Sequence, residues 1–181
     1  MTRVFICAAA FAGLLVGWFL FWFQCDDAYI AFRYASASQL GWGHTWNPPP
    51  FRPVEGYTSF LWVALLDAVW RLFGVEPPES ANRLALAFSA ASLALVVRMV
   101  LRLRLSPGLA RWRTPLLGLV LLGVVSNRTF LAWTSSGLET ALFGFLLLLW
   151  VFLAVFGSGR RGSLAWPPLS AGRLAPARPD G

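Results

Sequence analysis

An all-α integral membrane protein is the fold class this sequence predicts, and three observations carry it. The 181 residues are 57% hydrophobic and only 13% charged, with a mean hydropathy of +0.63. A water-soluble domain of that composition would expose aggregating patches. Apolar stretches near the length needed to cross a bilayer, about 20 residues, recur along the chain. Finally, all 15 basic residues are arginines, and they flank the apolar stretches. That is the pattern of membrane topology rather than of a nucleic-acid partner.

The first element runs from Val4 to Phe23 without a charge. It is too long for an ordinary signal-peptide core, and no small-residue cleavage site separates it from the acids that follow, so it reads as a retained span. Cys7 lies inside it and Cys25 at its far end, positions that cannot meet within one straight helix, and no spacing suggests a metal framework. Further spans are predicted at 83–101, 115–134 and 138–156, the second of these opening at Pro115, a good first-turn residue. Residues 57–73 are also apolar, but the stretch is short and carries Asp67 and Arg71 four apart on one helical face.

Arginine placement decides the topology. With Arg3, the cluster Arg98, Arg102, Arg104, Arg111 and Arg113, and the pair Arg160-Arg161 all cytoplasmic, four spans alternate correctly only if 57–73 does not cross. That stretch then reads as an amphipathic helix at the interface. A second surface helix is expected over 26–40, opened by an acid at its positive end and closed by Gly41-Trp42-Gly43. The expected architecture is thus about four transmembrane helices plus two juxtamembrane helices in an outer loop, 24–82. The segment 158–181, rich in Pro, Gly, Ala and Arg, reads as a cytoplasmic tail or a truncated continuation.

This topology gathers acids on the outer face: Asp26 and Asp27 directly after the first span, Glu55 in the loop, and Glu139 in the short turn before the last span. Clustered carboxylates at a membrane-facing pocket suit deprotonation of an acceptor hydroxyl, or a divalent metal held near a phosphate. Plainer roles stand beside these. Asp26 suits an N-cap and Glu139 the first turn of a helix; Asp67 and Arg71 most simply satisfy each other. Arg33 suits an ion pair with Asp26, Asp27 or Glu55, or bidentate capture of a phosphate. Tyr29 shares the first surface helix with Arg33, and Tyr57 follows Glu55. His44, the only histidine, suits packing or hydrogen bonding in a Trp-rich loop more than base catalysis. Asn127-Arg128-Thr129 matches the short glycosylation pattern and nothing more.

Four ordered strings extend the reading. DDAYIAFRYA from Asp26, GWGHTWNPPP from Gly41, VEGYTSFLW from Val54 and SSGLET from Ser135 resemble the start of bacterial GT-C superfamily glycosyltransferases. The likeness is nearest to the membrane arabinofuranosyltransferase type of actinobacterial cell-wall synthesis. More distantly, the chain is similar to aminoarabinose transferases and protein O-mannosyltransferases. The likeness runs from about Cys25 to Glu139, and the ending Arg178-Pro179-Asp180-Gly181 is similar to a step found further along such chains.

The resemblance implies a polyprenyl-phosphate sugar as donor, a glycan, lipid or protein of the cell envelope as acceptor, and the bacterial plasma membrane as location. It matches Asp26, with Asp27 beside it, to the carboxylate that activates the acceptor hydroxyl, with magnesium or manganese a metal it could hold. It matches Glu139 to the acid of the second outer loop and Glu55 to the acid closing the first. Glu55, Arg33, Tyr29 and Tyr57 are the expected substrate-binding set, and Asp26 is favoured over Asp27 as the acting acid. Superfamily members usually run to several hundred residues, so the chain is expected to correspond to an N-terminal portion, with a companion chain as one source of the rest. Two other readings are a transporter component, which the absence of acids from span 4–23 and from span 138–156 beyond its opening Glu139 disfavours, and a non-catalytic remnant.

Overall fold

The computed structural model of the chain describes residues 1–54 and 56–157. Among these residues every regular element is a helix: α1 Thr2–Leu20, α2 Ala28–Gln39, α3 Phe60–Phe73, α4 Pro77–Arg102, α5 Pro107–Ala110, α6 Arg113–Val125, α7 Arg128–Trp133 and α8 Thr140–Phe156. The predicted tail at 158–181 and the candidate acid Glu55 lie outside the described residues.

Two helices, α1 and α4, are long and apolar enough to cross a membrane. Little of either is covered by protein, with only 17% and 22% of the respective apolar windows buried. Their apolar faces are thus left largely uncovered by the rest of the chain, as a membrane-crossing helix would leave them. The other two expected spans are shorter. The stretch 115–134 is not one helix: α6 stops at Val125, and Asn127 starts α7 by accepting the backbone N–H of Phe130 at 3.0 Å. At 13 residues α6 rises about 20 Å, short of the hydrocarbon thickness of about 30 Å. The 17 residues of α8 rise about 26 Å.

The start of α4 also differs from expectation. It begins at Pro77 rather than near residue 83, because Pro77 and Pro78 occupy the first turn, where no intrahelical N–H is needed. Glu79 and Arg83, an exposed i,i+4 ion pair, extend the helix through a stretch too polar to count as a span. Its far end is closed from outside the helix: Arg113 donates to the carbonyls of Val100, Leu101 and Leu103. A cation at that end also complements the helix dipole.

The helices enclose two apolar cores. One joins α1, α4, α6 and α7 around Leu14, Leu93, Leu117, Leu121 and Leu131. There α1 approaches α7 closely, since a Cβ on Gly17 would lie 2.6 Å from a Leu131 methyl. The second core packs α2 and α3 over the starts of α4 and α8, around Phe32, Tyr34, Trp62, Leu66 and Leu142. The segment 24–82 and the turn before α8 are therefore one packed unit. Within it α3 spans 60–73, starting three residues later than the predicted surface helix.

Candidate functional site

The site is built where two distant parts of the chain are tied together by backbone. The amide of Cys25 donates to the carbonyl of Ser136 at 2.9 Å. The Ser135 hydroxyl donates to the carbonyl of Phe21 at 3.1 Å and faces the amide of Phe23 at 3.3 Å. Buried Trp62, on α3, donates its indole N–H to the carbonyl of Gly137 at 3.0 Å. Gly137 itself has φ +81°, and a Cβ there would lie 3.1 Å from Ala28 and 3.2 Å from Phe32. Glycine is required at this turn on both counts, conformational and steric. The turn seats the head of α8 against the head of α2.

Asp27 and Glu139 consequently open into one cavity of about 700 Å³. Ile30, Ala31, residues Gly56 through Ser59, Trp133, Leu138 and Thr140 complete its wall. Asp26 faces elsewhere. It borders a neighbouring cavity of about 600 Å³ with Tyr29, Arg33, Trp46, Trp70 and Glu76. Ile30 lines both cavities and forms the ridge between them. The adjacent acids of the sequence thus border different cavities, although their carboxylates remain within 4.8 Å of each other.

The helix-capping role expected of Asp26 takes another form. Asp27 is the first boundary residue of α2 and its side chain makes no cap bond, while Asp26 Oδ1 accepts the Asp27 amide at 3.1 Å. Arg33 is not ion-paired with Asp26 or Asp27. Its guanidinium lies 4.3 Å from the centroid of the Trp46 ring, and Nε donates to the Trp46 carbonyl at 3.1 Å. The indole shelf fixes the side chain and leaves the outer edge of the guanidinium for a ligand. Tyr29 donates to the side chain of Gln24 at 3.3 Å, and Gln24 in turn donates to the Pro78 carbonyl at 2.7 Å. Tyr57 stacks among Tyr34, His44 and Phe60.

Asp67 and Arg71 pair as their spacing predicts, with Nε to Oδ1 at 3.1 Å. The pair belongs to a larger network between α2 and α3. The Ser38 hydroxyl donates to Asp67 Oδ2 at 2.9 Å, Gln39 donates to Oδ1, and Arg71 reaches the Ser38 hydroxyl at 2.8 Å. His44 Nε2 lies 3.3 Å from Asp67 Oδ2, near enough for charge pairing but without hydrogen-bond alignment. Burial pushes the Asp67 carboxyl up, but the hydrogen bonds from Arg71, Ser38 and Gln39, with the Arg71 charge, together hold it below its ordinary value of 3.8. This network stabilises the fold and lines neither cavity.

Among the described residues, one group of metal-ligating side chains comes together: Cys25, Asp26 and Asp27, with donor atoms within 4.8 Å of one another. A magnesium ion is commonly bound through one or two carboxylates plus water and substrate phosphate, which the two acids match. The thiol is a soft donor and fits that ion poorly. Cys7 and Cys25 are both free thiols, as their separation predicts.

Sequence reasoning missed the shelf under Arg33, the partners of Asp67 on α2, and Trp70, Glu76 and Trp133 as cavity walls. Only the Asp67–Arg71 spacing offered a signal for any of these. Compared with known proteins, the chain matches no family model, no curated protein and no solved structure.

Proposed function

We propose that the chain is a multi-pass GT-C-type glycosyltransferase of the bacterial plasma membrane, or the N-terminal part of one. It moves a sugar from a polyprenyl-phosphate donor to a cell-envelope acceptor on the outer face. The observation that carries this reading is the meeting of Asp27 and Glu139, far apart in sequence, across one cavity beside the heads of α2 and α8 and close to the C-terminal end of α1. A cavity at the end of membrane-length helices is where a lipid-linked sugar and a water-soluble acceptor can both arrive. Two acids with tyrosine and tryptophan walls match the demands of sugar transfer.

In the proposed reaction the acceptor hydroxyl attacks the anomeric carbon of the donor. A new C–O bond forms as the bond to the phosphate oxygen breaks, the hydroxyl proton passes to a carboxylate, and polyprenyl phosphate leaves. In this reading the proton goes to Asp27, which shares a cavity with Glu139, in place of Asp26, the acid the sequence favoured. Asp26 and Arg33, in the adjoining cavity, face the phosphate side. Magnesium or manganese bound by Asp26 and Asp27 would neutralise charge on the departing phosphate.

The test is transfer from a radiolabelled polyprenyl-phosphate sugar in membranes expressing the full gene. Asp27→Asn and Glu139→Gln are expected to lower the rate by about 10²–10⁴-fold, the range for a positioned acid or base. Undiminished transfer by both variants overturns the assignment.

A further inference from the structure

The end of the molecule opposite the acidic cavities carries a different set of charges. Every acid among the described residues lies at the α2 end: Asp26, Asp27, Asp67, Glu76, Glu79 and Glu139. At 26 residues α4 is about 39 Å long. It carries Glu79 in its first turn and Arg102 in its last. Around that last turn stand Arg98, Arg102, Arg104 and Arg111, all exposed. Among the described residues none of them has a carboxylate within ion-pairing distance. Arg113 is not part of this set, because it is turned inward onto the carbonyls closing α4.

Two of these arginines are positioned by a third residue. Arg98 and Arg102, one helical turn apart, bring their guanidinium carbons 5.9 and 5.3 Å from the centroid of the same ring, Phe152 of α8. That ring is buried, at 9% exposure, so it is a fixed platform rather than a mobile neighbour. Cation–π contact with it restrains two long side chains that would otherwise sample many rotamers. Beside them Arg111 lies 5.7 Å from the ring of Trp112, an exposed tryptophan of the kind that settles at a lipid headgroup layer. Exposed Leu101, Leu103 and Leu109 complete the surface.

The geometry points to a binding site for the phosphodiester of an anionic phospholipid, held by Arg98 and Arg102 against the α4–α8 seam. Two guanidinium forks supply paired donors to the two non-bridging oxygens of a phosphate. The apolar side chains around them suit acyl chains, and nothing in the described chain neutralises the charge in their place. Orientation in the membrane requires only that arginines be numerous on one side; the shared ring goes further, by fixing two of them as a pair. This site rests on the membrane length of α1 and α4 and is independent of the sugar-transfer reading.

The experiment uses the full chain purified in an uncharged maltoside detergent and titrated with phosphatidylglycerol, with phosphatidylcholine, or with inorganic phosphate plus phosphatidylcholine. Native mass spectrometry reads bound lipid and thermal unfolding reads stabilisation. Phosphatidylglycerol is expected to be retained selectively. Its apparent affinity should fall about 5-fold for each arginine removed and about 30-fold in Arg98→Gln/Arg102→Gln. Arg83→Gln, at the acidic end of the same helix, should leave it unchanged. Equal retention of both lipids, equal stabilisation by inorganic phosphate, or an unaltered affinity in the double variant overturns the site. Should the double variant fail to fold, exposed Arg102→Gln alone decides, with no loss of affinity the refuting result.

Discussion

Replacing Gly137 with alanine tests whether the turn before α8 is docked as described. Two costs add at this position. A non-glycine residue at φ +81° is held in the left-handed region at about 1–2 kcal/mol. The new methyl would also stand 3.1 Å from Ala28 Cβ and 3.2 Å from Phe32 Cζ, overpacking that costs about 1–3 kcal/mol. Together these give about 2–5 kcal/mol, and at about 2–4 °C per kcal/mol for a chain of this size, a melting point lowered by about 4–20 °C. Two other glycines separate the contributions. Gly41 has φ +82° with nothing within 4 Å of a built Cβ, so Gly41→Ala should show the conformational cost alone. Gly123, inside α6, has open space and no positive φ, so Gly123→Ala should be neutral or stabilising by up to about 1 kcal/mol. Thermal unfolding of the detergent-solubilised variants, followed by tryptophan fluorescence, gives the order. If Gly137→Ala melts with Gly41→Ala or above it, the head of α8 is not packed against α2 and the shared cavity is lost with it.

Two other outcomes follow from the geometry. The carboxyl of Asp67 is held below 3.8 in the folded chain, so the folded state takes up its proton less readily than the unfolded state. Its contribution is complete above that value and disappears as pH falls through the lower folded value. Asp67→Asn should therefore be less stable near neutral pH, and its deficit relative to the parent should shrink on acidification; a deficit that stays constant with pH refutes the network as the cause. Single cysteines introduced at 42 or 51, in a chain freed of Cys7 and Cys25, should react with an impermeant maleimide from outside intact cells, and cysteines at 104 or 109 should not. The opposite labelling would make α3 a crossing helix.

Much of this fold was legible because hydropathy and i,i+4 spacing are local signals. The apolar run at the N-terminus, the Asp67–Arg71 pair and the gathering of residues 24–82 with the turn at 135–139 could all be read from the chain. Boundaries went astray where a residue's backbone role outweighed its hydropathy. Asn127 sits in an apolar run but caps a new helix, and the prolines at 77 and 78 open α4 in a stretch that hydropathy discounts. The candidate site was legible as a set of acids and not as an arrangement. The separation of Asp26 from Asp27 depends on the helical turn at the head of α2. The pairing of Arg33 with Trp46 depends on how the loop after α2 folds back, which no spacing encodes.

The tie between the Ser135–Gly137 turn and the ends of α1, α2 and α3 has a consequence for how this molecule can change over time. The separation of Asp27 from Glu139 is set by main-chain carbonyls at 136 and 137 receiving the Cys25 amide and the Trp62 indole. Carbonyls are the same whatever side chains the intervening helices carry. Exposed apolar positions from α4 to α7 are therefore free to drift in sequence without altering the gap between the acids. A single inserted residue in α8's lead-in, by contrast, would shift Glu139 out of the cavity even though every side chain was kept. Along that stretch selection would have to guard length as closely as it guards the glycine at 137.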